Sequence, residues 1–222
     1  ADMDALAITE LTGLPYASQN PGVMHACGHD GHMAILMGAA MILQRQNFAG
    51  RVHLVFQHAE ERYGGARMML DDELLSRFPM ERIFGLHNWP GLATGAVAVH
   101  DGPVMAGTAE FSLRFQAAGG HASMPHLSGD PLLAGGQFMV GIQQAVARSV
   151  DPMEAAVITV GSFQGGHAQN IIPQEAVLTG TLRAFRAPTL AHLRARVVAV
   201  AQASAQMAGC GWALDFDPNP CS

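Results

Sequence analysis

The sequence predicts an α/β region with a partial parallel sheet, followed by a smaller α+β domain of ferredoxin-like topology. In residues 1–102, short apolar runs alternate with helical patterns, which is typical of a parallel sheet covered on both faces. In residues 103–217, the predicted order is strand, helix, strand, strand, helix, strand, the order of the ferredoxin-like split unit. We expect residues 218–222 to begin a return to the first domain.

In the first domain, the opening residues ADMDAL have the pattern of a strand already under way, so we expect the domain to lack its start. Apolar residues from Met33 to Leu43 recur at helical spacing and predict a helix over 31–46, with Asp30 as its cap. The remaining predictions are strands at 51–57 (RVHLVFQ) and 82–86 (RIFGL), and a short helix near 64–76.

In the second domain, six elements follow the change of rhythm at DGPVMA. The helix near its end is predicted because Leu193, Val197, Ala201 and Ala208 share one face, together with Met207. The predicted strands are 107–116, 155–163, 175–186 and 211–216, and the predicted helices are 130–149 and 189–208.

Composition excludes several function classes. The 12 basic residues are all Arg, so chemistry that needs a Lys amine is excluded within this chain. The net charge of −6 disfavours nucleic acid as a partner, because phosphate binding depends on positive charge. No segment has a membrane-spanning pattern, and three Cys residues suit a reducing cytoplasm. We therefore expect a cytoplasmic protein that acts on a small molecule.

Metal-binding residue types gather where the predicted strands of the first domain end. Cys27 and His29 lie in the loop HACGHDGH, and a thiolate with an imidazole suits zinc, manganese or cobalt. The other candidates are Glu60 and Glu61 after the strand at 51–57, His87 after the strand at 82–86, and Asp2 and Asp4 in the first segment. Because the carboxyl ends of parallel strands meet at one edge of a sheet, this convergence predicts a metal site. A Cys27 nucleophile with a histidine base is the alternative, although it leaves the acids and His87 unexplained.

The second domain offers His121 and His126 in GGHASMPH, His167 and Asn170 in GGHAQNIIP, and Arg183 in GTLR. Glycines before the first histidine of each loop indicate tightly bent, exposed turns that could reach over a site. From the residues alone, ordinary turn chemistry and a solvated strand arginine are the favoured explanation of these segments.

In sum, the segments ADMDAL, GVMHACGHDGH, FQHAEE, FGLHNWP, GGHASMPH, AQNIIP and GTLR resemble the amidohydrolase branch of the dinuclear-metal aminoacylase and carboxypeptidase superfamily. Its members include hippurate hydrolases, auxin-conjugate hydrolases and N-acetyldiaminopimelate deacetylases. The resemblance implies two divalent ions (Zn, Mn or Co), with Glu60 as general base for a metal-activated water and Asp4 as the acid that orients the site. The implied metal ligands are Cys27, His29, Glu61 and His87.

The same resemblance implies that residues 1–102 belong to the catalytic domain and that 103–217 form a lid that also makes a homodimer. His121 would stabilise the tetrahedral oxyanion, and Asn170 and Arg183 would hold the substrate carboxylate. The implied reaction is hydrolysis of the amide bond of an N-acyl amino acid. The alternative is a non-catalytic fragment that acts as a dimerisation module. The resemblance leaves open the roles of Asp2, of His126 and of His58, which stands where Pro is usual before AEE.

Overall fold

The computed structural model describes residues 1–217 and divides the chain into two compact units. The first unit is Ala1–Val99, and the second begins at His100. The predicted return segment, 218–222, lies outside the described residues. Each unit is described by itself below.

The first unit contains three helices, α1 (His29–Leu43), α2 (Gly65–Asp71) and α3 (Leu74–Arg77). Helix α1 begins two residues before the predicted start, directly after Gly28, whose φ of 81° is left-handed. Asp30 therefore lies inside the first turn and is not the cap, and its carboxylate accepts a hydrogen bond only from the adjacent Gly31 N–H. The early start places His29 on the first turn of α1, where the ring is fully buried.

The predicted parallel sheet is not confirmed. Within the described residues, 51–57 and 82–86 form no strand ladder, and the one parallel pairing is an isolated bridge between Asp2 and Gln57. The backbone of 51–57 is joined only to the first residue: Gln57 N–H donates to the Ala1 carbonyl and the Ala1 amino group donates to the Val55 carbonyl. A strand requires a continuous ladder of such bonds, so both segments are corrected to extended chain.

The second unit has the predicted βαββαβ order, with two short additions. Its main sheet consists of β1 (Gly107–Gln116), β3 (Ala156–Gly165), β5 (Glu175–Ala184) and β6 (Gly211–Phe216), in the order β3-β5-β1-β6 with all pairs antiparallel. Helices α4 (Pro131–Ser149) and α5 (Ala187–Ala208) are the two crossovers. The additions that the sequence did not predict are a two-stranded sheet of β2 (Gly120–His121) and β4 (Ile171–Ile172), and a 3₁₀ turn at Pro125–Leu127.

The core of the second unit lies between one face of the main sheet and the two long helices. Phe115 and Leu178 from the sheet, Phe138 from α4 and Val197 from α5 are all completely buried in it. Met207, expected on the buried face of α5, is instead 71% exposed; it lies beside that face, which stays buried through Ala205 and Ala208 to the helix end. Among the described residues, none of the helices combines the length and apolarity needed to cross a bilayer.

Candidate metal centre

Four separate segments of the first unit bring acidic, imidazole and thiol groups together. The N-terminal segment carries Asp2 and Asp4, and the bridge between Asp2 and Gln57 places it beside the segment that leads to Glu60. Two ligand groups of compatible geometry result: Cys27, His29 and Glu61 form one, and Asp2, His29, His32 and His87 form the other. In each group the possible ligand atoms lie within 4.8 Å of one another.

His29 has the hydrogen-bond geometry of a metal ligand. Its Nδ1 lies 2.9 Å from the Asp4 carbonyl oxygen, which can only accept, so Nδ1 carries the proton and Nε2 carries a lone pair. Nε2 is buried and has no hydrogen-bond partner among the described residues. It faces carboxylate oxygens of three acids: Asp2 at 3.5 Å, Glu61 at 3.8 Å and Glu60 at 3.9 Å.

Lone pairs that face one another require a cation between them. Ligand atoms bound about 2.1 Å from a tetrahedral ion lie about 3.4 Å apart, close to the spacings around His29 Nε2. The donor set therefore fits a divalent ion, because a buried nitrogen lone pair lies opposite three carboxylates.

Cys27 and His87 are neighbours in the candidate metal centre. Cys27 Sγ lies 3.5 Å from His87 Nε2, and His87 Nδ1 lies 2.7 Å from the Asn88 carbonyl oxygen. His87 thus presents a lone pair toward the thiol. Burial, a hydrogen bond to Glu61 and the nearby acids together raise the pKa of Cys27 to about 11. A thiol in that state is a weak nucleophile at neutral pH, and a cation is needed to stabilise the thiolate.

The Asp4 carboxylate holds the main chain of the loop that carries Glu60 and Glu61. One carboxylate oxygen of Asp4 accepts from Glu60 N–H at 3.0 Å, and the other accepts from Glu61 N–H at 2.9 Å. Burial opposes ionisation of Asp4, but these two N–H groups outweigh it and the pKa of Asp4 is lowered. The main chain of both adjacent glutamates is thereby held in position.

Glu60 differs from Asp4 in its electrostatics. Its side chain is 39% exposed, and burial, followed by repulsion from Glu61, raises its pKa. A carboxylate with a raised pKa is a better proton acceptor than an ordinary glutamate. This pair of neighbouring acids therefore has the geometry for one to bind a metal while the other takes a proton.

The turn after these acids depends on a close backbone approach. Gly65 is buried, its N–H donates to the Ala59 carbonyl at 2.9 Å, and a Cβ there would overlap the His58 carbonyl oxygen. His58 contributes its main chain to this contact and its own side chain is exposed.

Sequence reasoning missed two residues of the centre, His32 and Asn88. His32 is 3% exposed, its Nδ1 lies 2.7 Å from Asp2 Oδ1, and its Nε2 accepts from Asn88 main-chain N–H at 3.0 Å. Burial opposes ionisation of Asp2, but the hydrogen bond from His32 favours the carboxylate, and the pKa of Asp2 is lowered overall. The available signal was spacing, because His29 and His32 are three residues apart and share a face of α1.

The candidates of the second unit lie around its two-stranded sheet and on β5. His121 in β2 pairs with Ile171, and Ala122 N–H donates to the Asn170 carbonyl, so His121 and Asn170 are neighbours. Arg183 is exposed on β5 between Thr108 and Val157, and no ion-pair partner for it is found among the described residues. His126 is exposed in the 3₁₀ turn.

Comparison with known proteins gives a consistent result. The family model of peptidase family M20/M25/M40 matches residues 1–211. N-acetyl-L-cysteine deacetylase of Bacillus subtilis is 41% identical over 91% of this chain and 49% of its own length. Hippurate hydrolase of Campylobacter jejuni is 44% identical over 83% of this chain and 48% of its own length. The chain thus spans about half the length of these curated relatives.

A solved structure is also similar. The YxeP protein of Bacillus subtilis, described as a dinuclear metal-binding peptidase of the M20 family, superposes with a TM-score of 0.77 at 35% identity. The similarity covers 99% of this chain and 56% of that one.

Proposed function

Because this chain belongs to peptidase family M20/M25/M40, we propose that it carries the metal centre of an amidohydrolase that cleaves N-acyl amino acids into a carboxylic acid and an amino acid. The observation that carries the proposal is the buried His29 Nε2, which has no hydrogen-bond partner among the described residues and faces the carboxylates of Asp2, Glu60 and Glu61 at 3.5–3.9 Å. The named relatives support the substrate class, since one is a deacetylase of an N-acyl amino acid and another hydrolyses hippurate.

Two divalent ions, when bound, would polarise the scissile carbonyl and make water more acidic. The proposed ligands are Cys27, His29, Glu61 and His87. His29 and His87 are suited to this role because each donates its Nδ1 proton to a main-chain carbonyl and so keeps Nε2 available.

Glu60 would act as the general base. Its raised pKa lets it accept the proton of the attacking water and hold it until the amine leaves. Asp4 would act as the orienting acid, because its carboxylate fixes the backbone of Glu60 and Glu61.

His121 would donate to the developing oxyanion. Ser123 main-chain N–H donates to His121 Nδ1 at 3.2 Å, so Nδ1 is an acceptor and the ring proton lies on Nε2. An Nε2–H donor is what a negatively charged oxygen requires. Asn170 and the exposed guanidinium of Arg183 would hold the substrate carboxylate. The second unit would act as the lid and the homodimer interface of this cytoplasmic enzyme. Light scattering of the purified chain, which measures its molar mass in solution, would test whether it forms a dimer.

The first test is metal content. We expect the purified chain, loaded with Zn²⁺ or Mn²⁺ and freed of excess metal, to retain close to two ions per chain by elemental analysis. We also expect it to release amine from hippurate or N-acetyl-L-cysteine, and EDTA to abolish that release. Glu60→Gln should keep the metal and lose at least about 100-fold in turnover, since general-base catalysis contributes about 10²–10⁴-fold.

The outcomes separate the alternatives. A chain that retains no metal refutes the metal centre. Retained metal without hydrolysis favours the non-catalytic dimerisation module. A Glu60→Gln variant with more than a few per cent of the wild-type rate refutes the role of Glu60.

A further inference from the structure

We propose that His32 is a positioning residue of the metal centre, which holds His87 in its ligating orientation through the main chain of Asn88. The inference rests on the proposed function, because it assumes that His87 binds a metal ion. His32 lies within the second ligand group but is not among the proposed ligands, because its ring nitrogens are engaged by Asp2 and Asn88.

The first step is the assignment of the His32 ring nitrogens. Asn88 main-chain N–H, 3.0 Å from Nε2, can only donate, so Nε2 accepts, and Nδ1, which lies 2.7 Å from Asp2 Oδ1, carries the proton. Asn88 Oδ1 lies 2.7 Å from Nε2, and because both atoms would accept, the amide is assigned with its NH₂ group toward Nε2, whose one lone pair is then shared between two N–H donors.

The second step continues from Asn88 to His87. His32 fixes the N–H of residue 88, and the carbonyl of the same residue accepts from His87 Nδ1 at 2.7 Å. This bond places the His87 proton on Nδ1 and leaves the Nε2 lone pair directed at Cys27 Sγ, 3.5 Å away. A continuous series of hydrogen bonds therefore runs from Asp2 through His32 and Asn88 to His87.

The third step is the contrast in burial. His87 is exposed, so few packing contacts restrain its ring, whereas His32 is only 3% exposed on the rigid helix α1. Asn88 is also held from the other side, because its side chain lies against Gly28 with no room for a Cβ at that glycine. The buried histidine can therefore impose an orientation that His87 lacks by itself.

Two substitutions separate the two hydrogen bonds of His32. An Asn amide nitrogen can replace Nδ1 and keep the bond to Asp2, but it leaves Asn88 N–H without an acceptor. A Gln amide oxygen can replace Nε2 and keep the bond to Asn88, but it loses Asp2. If Asn88 transmits the effect, His32→Asn should damage the centre and His32→Gln should not.

The experiment measures Co²⁺ binding to the metal-free chain by competition with a chromophoric chelator. We expect His32→Asn to raise the Co²⁺ dissociation constant about 10–100-fold, the usual effect of losing an outer hydrogen-bond partner, and to change the visible spectrum of bound Co²⁺. His32→Gln should stay within about threefold of wild type with an unchanged spectrum. His53→Asn is the matched control, since the His53 ring packs against the Phe78 ring and is in neither ligand group found among the described residues, so it should have no effect.

The outcomes distinguish this inference from the proposed function. If wild type takes up no Co²⁺, the metal centre itself fails. If wild type binds and His32→Asn has the same affinity and spectrum, only the positioning role is refuted. If His32→Asn fails to fold by circular dichroism, His32→Gln decides: wild-type affinity supports the inference, and a tenfold loss overturns it.

Discussion

Replacing Asp4 by Asn should loosen the Glu60 and Glu61 loop by a predictable amount. The Asp4 carboxylate accepts two main-chain N–H groups, at 3.0 and 2.9 Å, and its side chain is 23% exposed. An Asn side chain keeps one acceptor oxygen and turns an NH₂ group toward the other N–H. One hydrogen bond to a charged group is lost, and such a bond contributes about 1.5–3 kcal/mol.

That free energy predicts a change in amide exchange. Local opening that is easier by about 1.5–3 kcal/mol speeds exchange about 10–100-fold, because each 1.4 kcal/mol is a factor of ten. Hydrogen exchange of a proteolytic peptide covering 58–65, followed by mass spectrometry, measures it directly. Asp30→Asn is the control, since Asp30 bonds only to Gly31 in α1. An acceleration below about threefold in Asp4→Asn would falsify the view that this carboxylate holds the loop.

Three further predictions follow from burial and charge. The pKa of Glu60 is raised in the folded chain, so its ionised form opposes folding. In urea, metal-free Glu60→Gln should therefore be more stable than wild type at pH 7 and equally stable below pH 4. Equal stability at pH 7 would contradict this. Gly65→Ala should lower the melting temperature and weaken metal uptake, because the new methyl overlaps the His58 carbonyl. Phe138→Ala should cost the second unit about 3–5 kcal/mol in denaturant unfolding, since Phe138 is fully buried; a loss under about 1 kcal/mol would exclude it from the core.

The free energy of unfolding of the first unit should fall at low pH. The pKa values of Asp2 and Asp4 are lowered in the folded chain, so both acids contribute stability above their unfolded value of 3.8. That contribution is lost as the pH falls through the lowered values. Asp4→Asn should therefore flatten the pH dependence of unfolding on the acid side.

The second unit was the more predictable part of the fold. The predicted bounds of β1 and β6 agree with the structure, because each strand carries apolar residues at alternate positions. The short strands β2 and β4 escaped prediction, since two residues are too few for a periodic signal. In the first unit, the apolar runs at 51–57 and 82–86 predict strands, but neither segment forms one in the structure. Strand pairing requires a second segment of main chain alongside, and the residues of one segment do not show whether such a partner is present.

The candidate site was predictable in its residue types and not in its hydrogen bonds. Spacing and strand ends indicated Cys27, His29, Glu61 and His87, and the structure brings these four into two overlapping groups. The spacing of three residues from His29 places His32 on the same face of α1, but spacing does not reveal its hydrogen-bond partners. The importance of His32 comes from Asn88, which is 56 residues away along the chain and meets it only after folding.

The contact between Gly28 and Asn88 restricts which sequences this fold can accept. A Cβ at position 28 would lie 2.8 Å from the Asn88 side-chain amide, and a φ of 81° disfavours side chains there in any case. Substitution at either residue is therefore constrained by the other, although sixty residues separate them along the chain. Related sequences that replace this glycine should carry a smaller residue at the partner position, so the two sites should covary.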